Sequence, residues 1–229
     1  MDALTSFIQS LFLVPLTLLP IINPVGVAPI VIDAAGGDDR VLKRLSRQVA
    51  INGWVVIMVS LLVGTYVLEL FGISLPVVRV GGGLLVAYNA WIMLTRNETN
   101  AVQTAVVQNA SGELAEAHHL SEAEIVRRSF FPVTFPLTTG PGCIAAAIAL
   151  GAQIPRSPIP YVMGAGIAAI GAAFTAAVVY LVYRNGGRLL MRMGEVGTLV
   201  MMRLMAFVLL CIGIQILWTG WADLNRIPA

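Results

Sequence analysis

Apolar residues along the chain come in long, mainly apolar stretches, at about 6–32, 49–71, 75–95, 127–152, 160–183 and 197–220. A helix needs about 20 mainly apolar residues to cross roughly 30 Å of hydrocarbon at 1.5 Å per residue. All six stretches meet that length, so the pattern predicts an all-α membrane protein with six transmembrane helices. Only Phe71-Gly72-Ile73-Ser74 separates the second stretch from the third, which makes them a tight helical hairpin. The first stretch is expected to be retained rather than cleaved as a signal peptide. Asp2 stands where basic residues would precede the apolar core, and the run itself is too long.

The polar positions divide this pattern in two. The one long polar segment, about 97–126, lies between the third and fourth stretches and reads as a cytoplasmic linker joining residues 1–96 to residues 127–229. Ser121-Glu122-Ala123-Glu124 in it has the form of a capping box starting the next helix. His118 and His119 are adjacent, hence on different helix faces, and are read as solvated rather than as metal ligands. Three spans on each side of the linker make the second half enter the membrane from the opposite face. Homologous halves would then form two inverted three-helix repeats, an arrangement common in secondary transporters.

Composition agrees with the membrane assignment and excludes other classes. Of the 229 residues, 58% are hydrophobic and 11% charged, against roughly 25% charged in a typical soluble domain, and mean hydropathy is +0.85. A soluble enzyme, a nucleic-acid-binding module and a disordered chain are all excluded, and the lipid bilayer is the expected surrounding. Cys143 and Cys211 lie within apolar runs and suggest neither a disulfide nor a metal centre. With the N-terminus outside, the inner loops hold Arg40, Lys43, Arg44, Arg47, Arg96, Arg127, Arg128, Arg184, Arg188 and Arg192, whereas the outer segments hold Arg156 and Arg226. That asymmetry places both termini in the periplasm. If the first and fourth stretches dipped in and returned instead, the split would be nine to three.

Two stretches carry the candidate chemistry. Asn23-Pro24-Val25-Gly26 and Thr138-Thr139-Gly140-Pro141-Gly142 put proline and glycine inside the first and fourth spans. Proline removes a backbone donor and clashes with the preceding turn, and hydrocarbon offers no water to the groups it frees. Both motifs also read as helix starts, with Asn23 as an N-cap ahead of Pro24, and Thr139 or Gly140 ahead of Pro141. Helices 1 and 4 are therefore expected to break in mid-membrane, each opening a positive N-terminal end of the kind that binds carboxylates. A proline kink used only for packing is the simpler alternative.

The runs Ile22-Asn23-Pro24-Val25-Gly26-Val27-Ala28-Pro29 and Phe135-Pro136-Leu137-Thr138-Thr139-Gly140-Pro141-Gly142-Cys143-Ile144 closely resemble the two signatures of the MarC family. Arg79 followed by Gly81-Gly82-Gly83, and Arg203-Leu204-Met205, resemble that family's third and sixth spans. The resemblance covers nearly the whole chain. It implies a six-helix bacterial inner-membrane protein with an architecture like that of LysE-type exporters, and transport of small neutral amino acids such as glycine and alanine. Cys143 departs from the family, which often has a small or hydroxylated residue there.

The expected function is a secondary transporter, read as an exporter, for a small zwitterion. Its carboxylate would meet the two helix starts, with Ile22, Asn23, Pro24, Gly26, Thr138, Thr139, Gly140 and Gly142 as the site, and its ammonium the carbonyls around Ile21–Ile22 and Leu137–Thr138. Arg79 and Arg203 lie inside apolar runs and either snorkel to the interface or gate the two mouths. Asn52, Asn89, Thr65, Thr134, Thr175 and Gln215 are read as bonding between helices. No central carboxylate offers itself as a proton carrier, so a coupling ion, proton or sodium, is left open, as is the oligomeric state. No cofactor is expected. An export role for other small molecules or drugs, or a channel, is the alternative. A membrane-embedded enzyme is disfavoured because no nucleophile–base pair or metal cluster lies at membrane depth.

Overall fold

The computed structural model describes residues 3–95, 129–154 and 158–225. Among them all regular structure is helical. The chain runs through α1 (Ala3–Ile22), α2 (Pro24–Ala34), α3 (Asp39–Leu70), α4 (Leu75–Thr95), a wide-turned segment α5 (Ser129–Thr138) and α6 (Pro141–Gly151). A last helical run, Pro158–Asn225, is interrupted at Gly194, whose φ of 68° and ψ of 178° are not helical. It divides into two apolar helices, α7 (Ile159–Arg188) and α8 (Val196–Asn225). The linker 97–126, with its histidine pair and capping box, lies outside the described residues.

Four helices, α3, α4, α7 and α8, are long and apolar enough to cross a membrane. The number rises to six if each bent pair forms one span: Leu11–Ile22 with Pro24–Ala34, and Ser129–Thr138 with Pro141–Gly151. Less than a third of each long helix's most apolar window, 17–28%, is buried inside the protein. Large side chains such as Leu16, Val59, Leu84, Trp91, Val162 and Trp221 point outward instead. A soluble protein could not leave so much apolar surface exposed.

Local chemistry explains the boundaries. Asp38 caps α3 by accepting from the Arg40 N–H at 2.8 Å. At the other end Gly72, with φ 66°, turns the chain into α4 while the Ile73 N–H closes on the Leu68 carbonyl at 2.9 Å. The hairpin expected from the short connection is thus made by a left-handed residue that suits glycine. The first break is also where it was expected, with a bend of 57°. The second differs. The segment before Pro141 is not an ordinary helix interrupted once: Phe131 (φ −123°, ψ 123°) and Phe135 (φ −118°, ψ 124°) are both extended. Each precedes a proline, whose ring excludes the helical region for the residue before it.

The main core gathers Leu18 and Ile22 of α1, Val31 of α2, Val49, Ile57 and Leu61 of α3, Val133 of α5, Ala147 of α6, and Ala172 and Tyr183 of α7. A smaller cluster of Val86, Ala90 and Leu209 joins α4 to α8, and Ile21 packs against both clusters. Glycine sets the closest approaches. A Cβ at Gly213 would fall 2.5 Å from the Ala87 backbone nitrogen, and one at Gly220 would fall 2.8 Å from the Pro76 carbonyl oxygen. Of the glycine triplet in α4, Gly82 faces Ala145 of α6, Gly83 faces α8, and Gly81 meets nothing. Small residues allow this contact where no hydrophobic force drives helices together. Gly213→Val should therefore lower stability by about 1–3 kcal/mol, the usual cost of overpacking. Gly81→Ala, which meets nothing and removes a poor helix former, should leave stability unchanged or raise it by up to about 1 kcal/mol, and thermal unfolding in detergent separates the two.

Candidate functional site

Each break solves the same difficulty with different groups. At the first, Asn23 is left-handed (φ 47°, ψ 59°), a conformation asparagine tolerates better than most residues. Its N–H still reaches the Leu19 carbonyl at 2.9 Å, and its own carbonyl accepts from Val27 at 3.1 Å. Its side-chain Oδ1 accepts from the Gly26 N–H at 3.2 Å. That bond fixes the amide's orientation and leaves Nδ2, buried, with no partner. Gly26 is required here, because a Cβ would sit 2.5 Å from Nδ2.

At the second break, hydroxyls replace the missing helical bonds. The Thr139 N–H and Oγ1 both donate to the Thr134 carbonyl, at 2.7 and 3.1 Å. Thr138 Oγ1 donates to Val133 at 2.7 Å, and Thr134 Oγ1 to Ser129 at 2.6 Å. The proton of Thr138 is thereby committed, so the Tyr183 phenol, 3.0 Å away on α7, donates to it. Asn52 of α3 reaches Ser129 Oγ at 3.4 Å. Gly140 is extended and supplies no side-chain cap to α6. The Ile144 N–H bonds the Gly140 carbonyl at 3.1 Å, leaving the Gly142 and Cys143 N–H groups ahead of it at an uncapped helix start. Glycine at 140 also makes room, since a Cβ would approach the Pro136 carbonyl to 2.5 Å.

The two breaks meet in space. Ile22 from the first, and Thr138 and Thr139 from the second, line one cavity of about 10 Å³. Val49, Ala50, Gly53 and Ile57 of α3 form one wall, and Thr175, Ala176 and Val179 of α7 form another. This space is about enough for a single water. No lining residue is ionisable. Among the described residues, no group of three His, Cys, Asp or Glu side chains is placed to hold a metal ion.

The expected site residues fall into three places. Ile22, Thr138 and Thr139 line the cavity, and Asn23, Pro24, Gly26 and Gly140 form the breaks themselves. Gly142 lies against α4, where a Cβ would run into Val86. Cys143 is buried in the main core. Arg79 is ion-paired with Asp223, tying the start of α4 to the end of α8, and Arg203 is exposed on α8. Neither arginine lines the cavity.

Several contributors were not visible in the chain. Asp223 as the partner of Arg79 required the α4–α8 crossing. Tyr183 ends an apolar stretch, where an aromatic residue is ordinarily interfacial, yet it is fully buried. Thr175, read as bonding between helices, donates to Gly171 of its own helix at 2.9 Å and lines the cavity.

Comparison with known proteins agrees with this architecture. The inner membrane protein MarC (UPF0056) of Escherichia coli O157:H7 is 29% identical over 213 residues, covering 91% of this chain and 92% of that protein. The proteins of the same name from Escherichia coli K12 and Shigella flexneri are each 28% identical over 211 residues, with the same coverage. No solved structure matches the chain. Residues 8–224 match the family described as MarC family integral membrane protein, so a match across almost the whole chain shows that this protein belongs to the MarC family.

Proposed function

We propose that the protein is a secondary transporter that exports small neutral amino acids, such as glycine and alanine, across a bacterial inner membrane. The observation that carries this reading is the meeting of two broken helices around one small cavity with no ionisable lining residue. Such a place suits a ligand that carries both charges itself. The carboxylate goes to donors left open at the breaks: Asn23 Nδ2, which has no partner, and the N–H groups of Gly142 and Cys143 at the start of α6. The ammonium goes to carbonyl oxygens just before the breaks, around Ile22 and Leu137–Thr138. The inner-membrane location is supported by the names of the relatives.

The halves repeat a plan. Each contains a bent pair followed by two long helices, and the second member of each pair has 11 residues with proline at its start. That favours inverted repeats of residues 1–96 and 127–229, with periplasmic termini and alternating access by one half rocking on the other. Bends of 57° and 68° fit a broken span or a re-entrant loop alike, and it is the matching plan of the two halves that favours the span. Arg79 with Asp223 then holds one mouth closed, with Arg203 belonging to the other.

Counterflow of labelled glycine or alanine in proteoliposomes tests the transport reading whatever the coupling ion is. Asn23→Asp keeps an oxygen for the Gly26 N–H but replaces the free donor with an anionic oxygen. It should lower uptake per inserted protein about 10- to 150-fold, the range for losing a hydrogen bond to a charged group, and lower detergent stability as well, because the new charge is buried. Absence of uptake of every small amino acid by the parent protein would reject the proposal.

Topology has its own test. Cysteines introduced at Gly37 and Gln153, in a background without Cys143 and Cys211, should react with an impermeant maleimide from opposite faces. Labelling from the same face would mean that the bent pairs return without crossing.

A further inference from the structure

Glycine disfavours a helix, and in a membrane helix it ordinarily serves to let another segment come close. Every other buried glycine among the described residues has a steric reason, since an added Cβ would meet an atom at 3.0 Å or less. Gly53, midway along α3, is the exception. A Cβ there would meet nothing nearer than Thr139 Cγ2, at 3.6 Å, an ordinary contact. Packing does not require this glycine, and it lines the cavity between the two breaks.

The walls of that cavity turn apolar atoms inward. Ile57 and Val179 are aliphatic, and the hydroxyls of its three threonines are engaged elsewhere. Thr138 bonds Val133, Thr139 bonds Thr134 and Thr175 bonds Gly171, in each case at a backbone carbonyl. A carbonyl only accepts, so all three hydroxyl protons are already committed. What Thr139 directs toward Gly53 is its methyl group.

We propose that this cavity is the side-chain subsite of the transporter, a recess about one methyl wide whose size is set by the absent Cβ of Gly53 and the methyl of Thr139. The inference rests on the transport reading above and deepens it, because it names what selects the substrate. The recess takes the hydrogen of glycine or the methyl of alanine. A larger aliphatic side chain has to displace Ile57 or Val179, both nearly fully buried in the main core. Charged and strongly polar side chains find no donor or counter-charge on these walls.

The test compares counterflow of glycine, alanine and 2-aminobutyrate in proteoliposomes. Gly53→Ala places a methyl in the recess at an ordinary contact distance. It should lower the alanine-to-glycine ratio of initial rates by about 10- to 200-fold, the range for one methyl-sized group in an apolar pocket. Thr139→Ser keeps the hydroxyl bond to Thr134 but removes the methyl. It should raise 2-aminobutyrate relative to alanine by about tenfold at least. An unchanged alanine-to-glycine ratio in Gly53→Ala, with uptake by the parent intact, overturns the subsite and leaves the transport reading standing. If that variant does not reach the membrane, an unchanged 2-aminobutyrate ratio in Thr139→Ser overturns it instead. Uptake of none of the three amino acids by the parent overturns both.

Discussion

A backbone N–H or carbonyl left without a partner in hydrocarbon costs several kcal/mol, and the two bent pairs among the described residues are where the chain departs furthest from an ordinary helix. Pro24 and the Phe-Pro and Gly-Pro steps before α6 remove donors and push neighbouring residues out of helical geometry. The repair at the first break uses one residue. Asn23 adopts a left-handed turn, keeps both its backbone bonds, and lends Oδ1 to Gly26. At the second break the repair is spread over Thr134, Thr138 and Thr139, whose hydroxyls reach back five residues to carbonyls. The two breaks are therefore unequal. One keeps a spare donor on a side chain, and the other keeps its spare donors on the backbone of α6.

These repairs work only if the surrounding helices close tightly, and the small residues sit accordingly. Successive residues on a helix point about 100° apart, so Gly82 and Gly83 of α4 address different neighbours. One faces Ala145 of α6 and the other faces the backbone of α8 near Gly213 and Leu217. Gly142, at the start of α6, adds to the same contact through Val86. The helix that follows the second break is thus held against α4, which in turn is fixed to α8 by a glycine seam and by Arg79 with Asp223.

Much of this was legible along the chain because it depends on single residues with strong local rules. Asn23-Pro24 has the form of an N-cap followed by proline at the first helical position, and Gly72 at a four-residue connection marks a hairpin. The wide-turned α5 was less legible. Two Phe-Pro steps in ten residues argue against a regular helix, but a run of apolar residues 26 long masks them when only hydropathy is read. Residues whose role depends on a partner distant in the chain were not legible at all. Asp223 reads as an ordinary polar end residue until α8 crosses α4, and Gly53 reads as one more glycine among 22. Only the absence of anything pressing on Gly53 distinguishes it, and absence of contact leaves no mark in a sequence.

The apolar lining bears on the cycle of a transporter as well as on its selectivity. A site built around a fixed charge would be left with an uncompensated ion whenever the ligand departed, and burying that ion costs several kcal/mol after relaxation. Here the groups proposed to meet the ligand's charges are dipoles, namely an amide and helix-end N–H groups, while every threonine proton at the cavity is already used. Emptying the site exposes no charge to the hydrocarbon. The helices are then free to close over it without burying an ion. A carrier that must return empty gains from such an arrangement, because the unloaded state can pass between its two faces without carrying a buried ion. In the proposed transporter, selectivity by size, uncharged recognition and an empty return step would all follow from one choice, the use of broken backbone instead of charged side chains.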